Sequence, residues 1–201
     1  YVTQTVSSCA SAATVVNVVV NPAVVADADP GVSLTICDGE SITLGGSSTG
    51  SGGNGSYTYS WTSVPVGFTS SASNPSVSPS VDTDYTVVVT DGNGCTDTDV
   101  VSIVVTAVPG IPTALSPTPI CVGDTDPTLT ASGAGGATFN WYNDAALTSL
   151  VQGNSATYTP SVNGSAGTNI YYVTQTVSSC ASAATVVNRS EERRVGKECR
   201  S

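Results

Sequence analysis

The residues able to do chemistry are few and narrow in kind. The 201-residue chain has six cysteines, fifteen Asp and Glu, no histidine and no methionine. Without His or a Cys-x-x-Cys pair, the cysteines do not read as metal ligands, because a structural zinc needs clustered Cys and His. Serines are abundant, but no His or Lys stands ready as a base, so a serine nucleophile is not expected. Carboxylates come in pairs two apart: Asp27 and Asp29, Asp38 and Glu40, Asp82 and Asp84, Asp97 and Asp99, Asp124 and Asp126. That spacing puts both members on one face of a strand, or in one turn. Such pairs supply oxygen ligands to calcium, or an acid and a base for glycoside hydrolysis.

Hydrolysis is not expected. No basic residue is available to shape a substrate anion, and no insertion long enough to form a cleft is evident. The ordinary use of these pairs is in solvated turns and strand faces. Any calcium is expected to bind weakly near module boundaries, at Asp27 and Asp29 or Asp97 and Asp99. Asp91-Gly92-Asn93-Gly94-Cys95 begins like a calcium loop, but Cys95 stands at the third ligand position, so the motif fails. No other cofactor is expected.

The charge distribution excludes one partner class. The formal net charge is -10, and all five basic residues (Arg189, Arg193, Arg194, Lys197 and Arg200) lie at the C-terminal end. Residues 1–188 therefore present carboxylates alone, a surface that repels phosphate backbones, and nucleic acid is not an expected partner. No window approaches 18 apolar residues, so membrane insertion is not expected either.

The elements that position these residues are organised by a repeat. Tyr1 to Asn17, YVTQTVSSCASAATVVN, recurs without change as Tyr172 to Asn188. Identity over that separation is the mark of a tandem repeat. Between the copies lie two modules with a common skeleton. The first runs Ile36-Cys37-Asp38-Gly39, Leu44, Tyr57-Thr58-Tyr59-Ser60-Trp61, then Asp84-Tyr85-Thr86-Val87-Val88-Val89-Thr90-Asp91-Gly92-Asn93-Gly94-Cys95. The second runs Ile120-Cys121-Val122-Gly123, Leu129, Phe139-Asn140-Trp141-Tyr142, then Ile170-Tyr171-Tyr172-Val173 and Cys180.

Val and Thr fit a pleated, half-buried surface, and Gly, Pro, Asn and Ser punctuate the chain at intervals of about ten residues, as in an antiparallel sandwich. A Cys on an early strand, a Trp further on and a Tyr shortly before a second Cys fit an immunoglobulin-like core. The expected fold is all-β: two tandem immunoglobulin-like antiparallel β-sandwiches, preceded by the terminal hairpin of a third that is truncated. Residues 1–20 form that hairpin, 21–106 the first module and 107–188 the second. Residues 189–201 break the composition from Val/Ser/Thr to Arg/Glu and are read as a foreign tail.

The stretches ICDGESITL, YTYSW, NPSVSP and DTDYTVVVTDGNGC resemble the PKD-like repeats of large secreted surface proteins of Bacteroidota, of the adhesin type. The second module is similar to the immunoglobulin-like repeats that alternate with them. The resemblance covers residues 1–188. It implies export, through a type IX system, and a place at the cell surface or outside the cell.

Cys37 with Cys95, and Cys121 with Cys180, join the early and late strands of one module each, at separations of 58 and 59 positions. These are the expected disulfides; Cys9 is expected to be a free thiol. Trp61 and Trp141 are expected in the cores, with Tyr85 and Tyr172. The alternative is that the tryptophans form a sugar-stacking platform with Tyr57, Tyr59 and Tyr142.

Two function classes follow. The first is a non-catalytic structural or adhesive stalk, with neighbouring repeats of the same chain as partners and surface glycans or other cells as further ones. The second is an accessory polysaccharide-binding module of a secreted hydrolase. Val2, Val6, Val15 and Val18 of the first copy have no sheet of their own to cover, so the hairpin there is expected to fray or to borrow an edge, while the second copy is ordered.

Overall fold

The strands Tyr57–Val64, Thr83–Asp91, Leu129–Ser132 and Thr138–Tyr142 bury every second residue over much of their length, which dries one face and wets the other. The computed structural model is all-β. It describes residues 1–161 and 166–192, and the backbone alone at 194–195 and 198–199. Two compact units emerge: Tyr1–Leu34 with Ser41–Val104, and Thr35–Glu40 with Val105–Ser201.

In the first unit the strands Thr96–Thr106, Thr83–Asp91, Tyr57–Val64 and Thr69–Ser70 lie side by side in that order. Two short pairs, Val24–Ala26 with Gly50–Gly52 and Ile42–Thr43 with Ser76–Val77, complete the fold. Thr83–Asp91 buries every second residue, and Tyr85, Val87 and Val89 form one stripe. In Tyr57–Val64, Trp61 pairs with Val87 and is almost wholly buried. Its indole N–H donates to the Ala72 carbonyl at 3.0 Å, so the one polar atom of that side chain is satisfied inside the core.

The second unit has the same logic in two layers. One sheet orders Thr113–Ala114, Leu129–Ser132 and Thr157–Tyr158. The other orders Ile120–Cys121, Thr185–Glu192, Gly167–Val177, Thr138–Tyr142 and Leu150–Gln152, with Cys180–Ala181 also paired to Gly167–Val177. Leu129 and Ala131 from the first sheet meet Phe139, Trp141, Tyr171, Val173 and Val187 from the second, which makes the core. The Trp141 indole N–H donates to the Ser155 carbonyl at 3.0 Å, matching Trp61.

The expected boundaries shift in three places. The break between units falls at Val104/Val105 instead of 106/107. Thr35–Glu40, expected inside the first module, clusters with the second unit, where Asp38 N–H donates to the Thr106 carbonyl at 2.9 Å. The tail expected to lie outside the fold begins inside it: Arg189 to Glu192 continue a strand, with Asn169 opposite Arg189 and Gly167 opposite Glu191. Extended backbone propagates along an existing ladder whatever the side chains are, so a change in composition does not end the strand. Arg189 is buried there against Asp126 and Glu191, and its Nε and Nη1 have no hydrogen-bond partner among the described residues. The rest of the expected tail, apart from the two backbone strands named above, lies outside the described residues.

Candidate functional site: cysteine turns and cysteine hairpins

Two local structures carry the cysteines. The first is a tight turn, Ile36-Cys37-Asp38-Gly39-Glu40. Gly39 takes φ of 88°, a left-handed value that glycine adopts at no steric cost. Glu40 N–H donates to the Cys37 carbonyl at 2.9 Å, and the Glu40 carboxylate accepts the Cys37 N–H at 2.9 Å. The same turn recurs at Cys121: Gly123 has φ of 90°, Asp124 N–H donates to the Cys121 carbonyl at 3.0 Å, and the Asp124 carboxylate accepts the Cys121 N–H at 3.3 Å. An acidic residue three positions after the cysteine thus closes both turns. That is the use of two of the carboxylate pairs.

The second structure is a hairpin with the cysteine just past its tip. In Thr176 to Ala181, Ser178 and Ser179 take left-handed φ of 49° and 70°, and Val177 pairs with Cys180. Ser182 Oγ accepts the Gln175 N–H at 3.0 Å, and Ser182 N–H donates to the Gln175 carbonyl at 2.8 Å. The Gln175 side chain then bridges outward, its carboxamide nitrogen donating to the Gly110 carbonyl at 2.6 Å and its oxygen accepting the Ala134 N–H at 2.9 Å.

Turn and hairpin meet in a disulfide, Cys37–Cys180, with Cα atoms 5.6 Å apart. This overturns the expected pairings Cys37–Cys95 and Cys121–Cys180. The reason is that Thr35–Glu40 belongs with the second unit and carries Cys37 to Cys180. Cys121 is disulfide-bonded as well, though not to Cys180. Cys9 and Cys95 are free and exposed. Cys95 also follows a hairpin tip, between Thr83–Asp91 and Thr96–Thr106.

The carboxylates singled out for calcium have other work. Asp97 and Asp99 accept the backbone N–H groups of Ala26 and Ala28, both at 2.8 Å. They occupy one side of the Val24–Ala26 strand, whose other side is paired with Gly50–Gly52, and so satisfy an edge that would otherwise present bare donors. Asp27 accepts the Asp29 N–H at 3.1 Å and Asp29 the Gly31 N–H at 2.8 Å, two side-chain turns. Among the described residues no group of three His, Cys, Asp or Glu comes together that could hold a metal ion. Asp91 is buried and closes its hairpin, accepting the N–H groups of Asn93 and Cys95 at 2.9 Å.

Of the four expected core aromatics, Trp61, Trp141 and Tyr85 are buried and Tyr172 is only half-buried. Tyr171 takes the place expected for Tyr172. Strand alternation puts Tyr171 and Val173 on the inner face and Tyr172 on the other, and the adjacent tyrosines made the choice ambiguous in the sequence. With both tryptophans buried, no sugar-stacking platform forms around them. The ring of Tyr171 lies edge-on to Tyr158, centroids 5.4 Å apart. Burial pushes both phenols above their ordinary pKa, as it does for Tyr85. Tyr158, Tyr171 and Tyr172 also line a groove of about 540 Å³ with Asn143, Asp144 and Val151. The Asp144 carboxyl is held below its usual pKa chiefly by the Ser149 backbone N–H, with the Thr148 side chain adding to it.

Comparisons with known proteins gave one family model and likenesses among solved structures. Residues 109–189 match the model of the Ig-like domain described as CHU_C associated. Among solved structures, the chain is similar to the I-band fragment I67-I69 from titin (15% identity, 88% of this chain and 67% of that one, TM-score 0.42). It is also similar to the fibronectin(III)-like modules of Clostridium thermocellum CbhA (13% identity, 89% and 99%, TM-score 0.44). A third is the structure described for host cell surface retention of a 1.5-MDa bacterial ice-binding adhesin (19% identity, 86% and 64%, TM-score 0.36). No curated protein sequence matches the chain. Residues 109–189 are thus similar to the Ig-like domain described as CHU_C associated, and the chain is all-β.

Proposed function

We propose that the chain is a non-catalytic segment of a structural or adhesive stalk, exported and held at the cell surface or outside the cell. The observation that carries this reading is the disulfide Cys37–Cys180, which closes a loop of 143 positions across a repeat array. Disulfides persist in oxidising compartments and not in a reducing cytosol. The charge supports it, since an acidic array without Lys or Arg before residue 189 stays soluble at high local density. Non-reducing peptide mapping of the protein released from the surface of producing cells tests the reading. A Cys37–Cys180 peptide in the released fraction is the expected result; the two cysteines recovered only as free thiols from the cell interior would refute it.

The groove beside Tyr158 and Tyr172 favours a second reading, an accessory module that grips polysaccharide. Its half-buried phenol rings and the side chains of Asn143 and Asp144 have the chemistry of a sugar subsite, an apolar face with polar groups at its rim. A glycan screen separates the two. Binding that Tyr172→Ala abolishes would favour the module; no binding at any glycan leaves the stalk.

A further inference from the structure

We propose that the hairpin of Thr5 to Ser11 is a docking and cross-linking site for the Ile-Cys-x-Gly-acid turn of another Ig-like repeat, with Cys9 as the residue that forms the bond. The inference goes beyond the stalk reading, because it concerns what one repeat recognises in another.

Four observations converge on it. First, the turn is a defined element: both of its occurrences, at Cys37 and Cys121, have the same glycine conformation and the same carboxylate closing on the cysteine N–H. Second, both turn cysteines are disulfide-bonded. Third, the partner of Cys37 is a hairpin cysteine, Cys180. Fourth, the hairpin that holds Cys180 exists a second time around Cys9, with identical sequence and the same geometry. Ser7 and Ser8 have φ of 49° and 71°, and Val6 pairs with Cys9 as Val177 does with Cys180. Ser11 Oγ accepts the Gln4 N–H at 3.0 Å, the bond that Ser182 makes to Gln175. The element known to receive the turn is therefore present twice, and at its first occurrence the thiol is free and exposed.

The chemistry is thiol–disulfide exchange and balances without an external reductant. The turn cysteine arrives as a mixed disulfide with a small-molecule thiol such as glutathione. The Cys9 thiolate attacks the sulfur of the turn cysteine, the new S–S bond forms, and the glutathione thiolate leaves and takes up the proton that Cys9 gave.

Cys95 provides an internal reference. It is free and exposed in the same chain, but its hairpin tip is Gly92-Asn93-Gly94 instead of Ser7-Ser8. The test uses the whole chain and two synthetic peptides activated with glutathione. One has the sequence of Ser33 to Ser41; the other has the same composition scrambled around the cysteine. Mass mapping of the adducts over time gives the rate at each thiol. The expected result is severalfold faster capture of the native peptide at Cys9 than at Cys95, with no such preference for the scrambled peptide or for glutathione alone. The Ser11→Ala variant, which removes the hydroxyl that accepts the Gln4 N–H, should lose the preference while Cys9 stays reactive to glutathione. Equal capture of both peptides at Cys9, or a preference for Cys95, would overturn the proposal.

Discussion

Seventeen identical residues stand in two environments, and the pair separates what a sequence encodes locally from what its surroundings add. In both copies the backbone takes the same course. Val2 bridges Thr14 as Val173 pairs with Thr185, and Thr5 pairs with Ala10 as Thr176 does with Ala181. Burial differs at the inward-facing positions. Val2 is 61% exposed and Val173 wholly buried; Val16 is 56% exposed and Val187 wholly buried. The hairpin ladder of the first copy forms in the structure without a sheet behind it. The apolar face is uncovered, as expected. The turn chemistry of Ser-Ser and the Ser-to-Gln bond set the shape, and the neighbours Phe139 and Trp141 supply the burial.

Paired substitutions sharpen this comparison. The largest contrast is at the cysteines. Cys180→Ala opens a loop of 143 positions and should lower the stability of the second unit by up to about 5 kcal/mol, the chain-entropy value, whereas Cys9→Ala should leave it unchanged. Denaturant titration followed by tryptophan fluorescence reads both. Next is the buried face: Val173→Ala should cost about 2 kcal/mol by lost transfer energy and a cavity, and Val2→Ala should stay within about 0.5 kcal/mol of zero. Comparable losses at both positions would mean that the first copy packs against something in solution.

A smaller contrast concerns the hairpin bond. Ser182→Ala leaves the buried Gln175 N–H without its acceptor and should cost roughly 1–2 kcal/mol; Ser11→Ala, in water, should cost a few tenths. Amide exchange at Gln175 and Gln4 checks the pair.

Alkaline pH should act on the tyrosines packed beside the second copy. Tyr171, immediately before it, and Tyr158 have phenols raised by burial above the ordinary value of about 10. With the folded pKa above the unfolded one, their contribution is whole below about pH 10 and is lost as pH rises through the folded value. Phenolate absorbance should therefore lag free tyrosine, and unfolding of the second unit above pH 10 should follow it. Tyr158→Phe, Tyr171→Phe should flatten that dependence.

Much of the architecture was legible because strand alternation is a strong signal. Trp61, Trp141 and Tyr85 each sit where a period of two places them, and Asn-Gly and Gly-rich stretches mark the turns. Side-chain pairing was not legible. Six cysteines at regular intervals allow several connectivities, and nothing in the spacing says that Thr35–Glu40 clusters with the later unit. The Tyr171/Tyr172 register failed by one position, which in a strand is enough to exchange the faces. The carboxylate pairs were readable as one-face pairs, but the partners of Asp97 and Asp99 are backbone N–H groups 71 positions away. Long-range acceptors leave no trace in local composition.

The Cys37–Cys180 bond also decides how the chain bears tension. If the two ends are pulled apart, the load passes from residue 37 to residue 180 through the sulfur atoms, and everything between them is a slack loop outside the line of force. Both tryptophan cores then contribute nothing to the length gained when the molecule is stretched, since Trp61 and Trp141 lie within that loop. Reducing that bond brings chain from the 143-position loop into the line of force. The reach of the molecule under load is therefore set by an oxidation state.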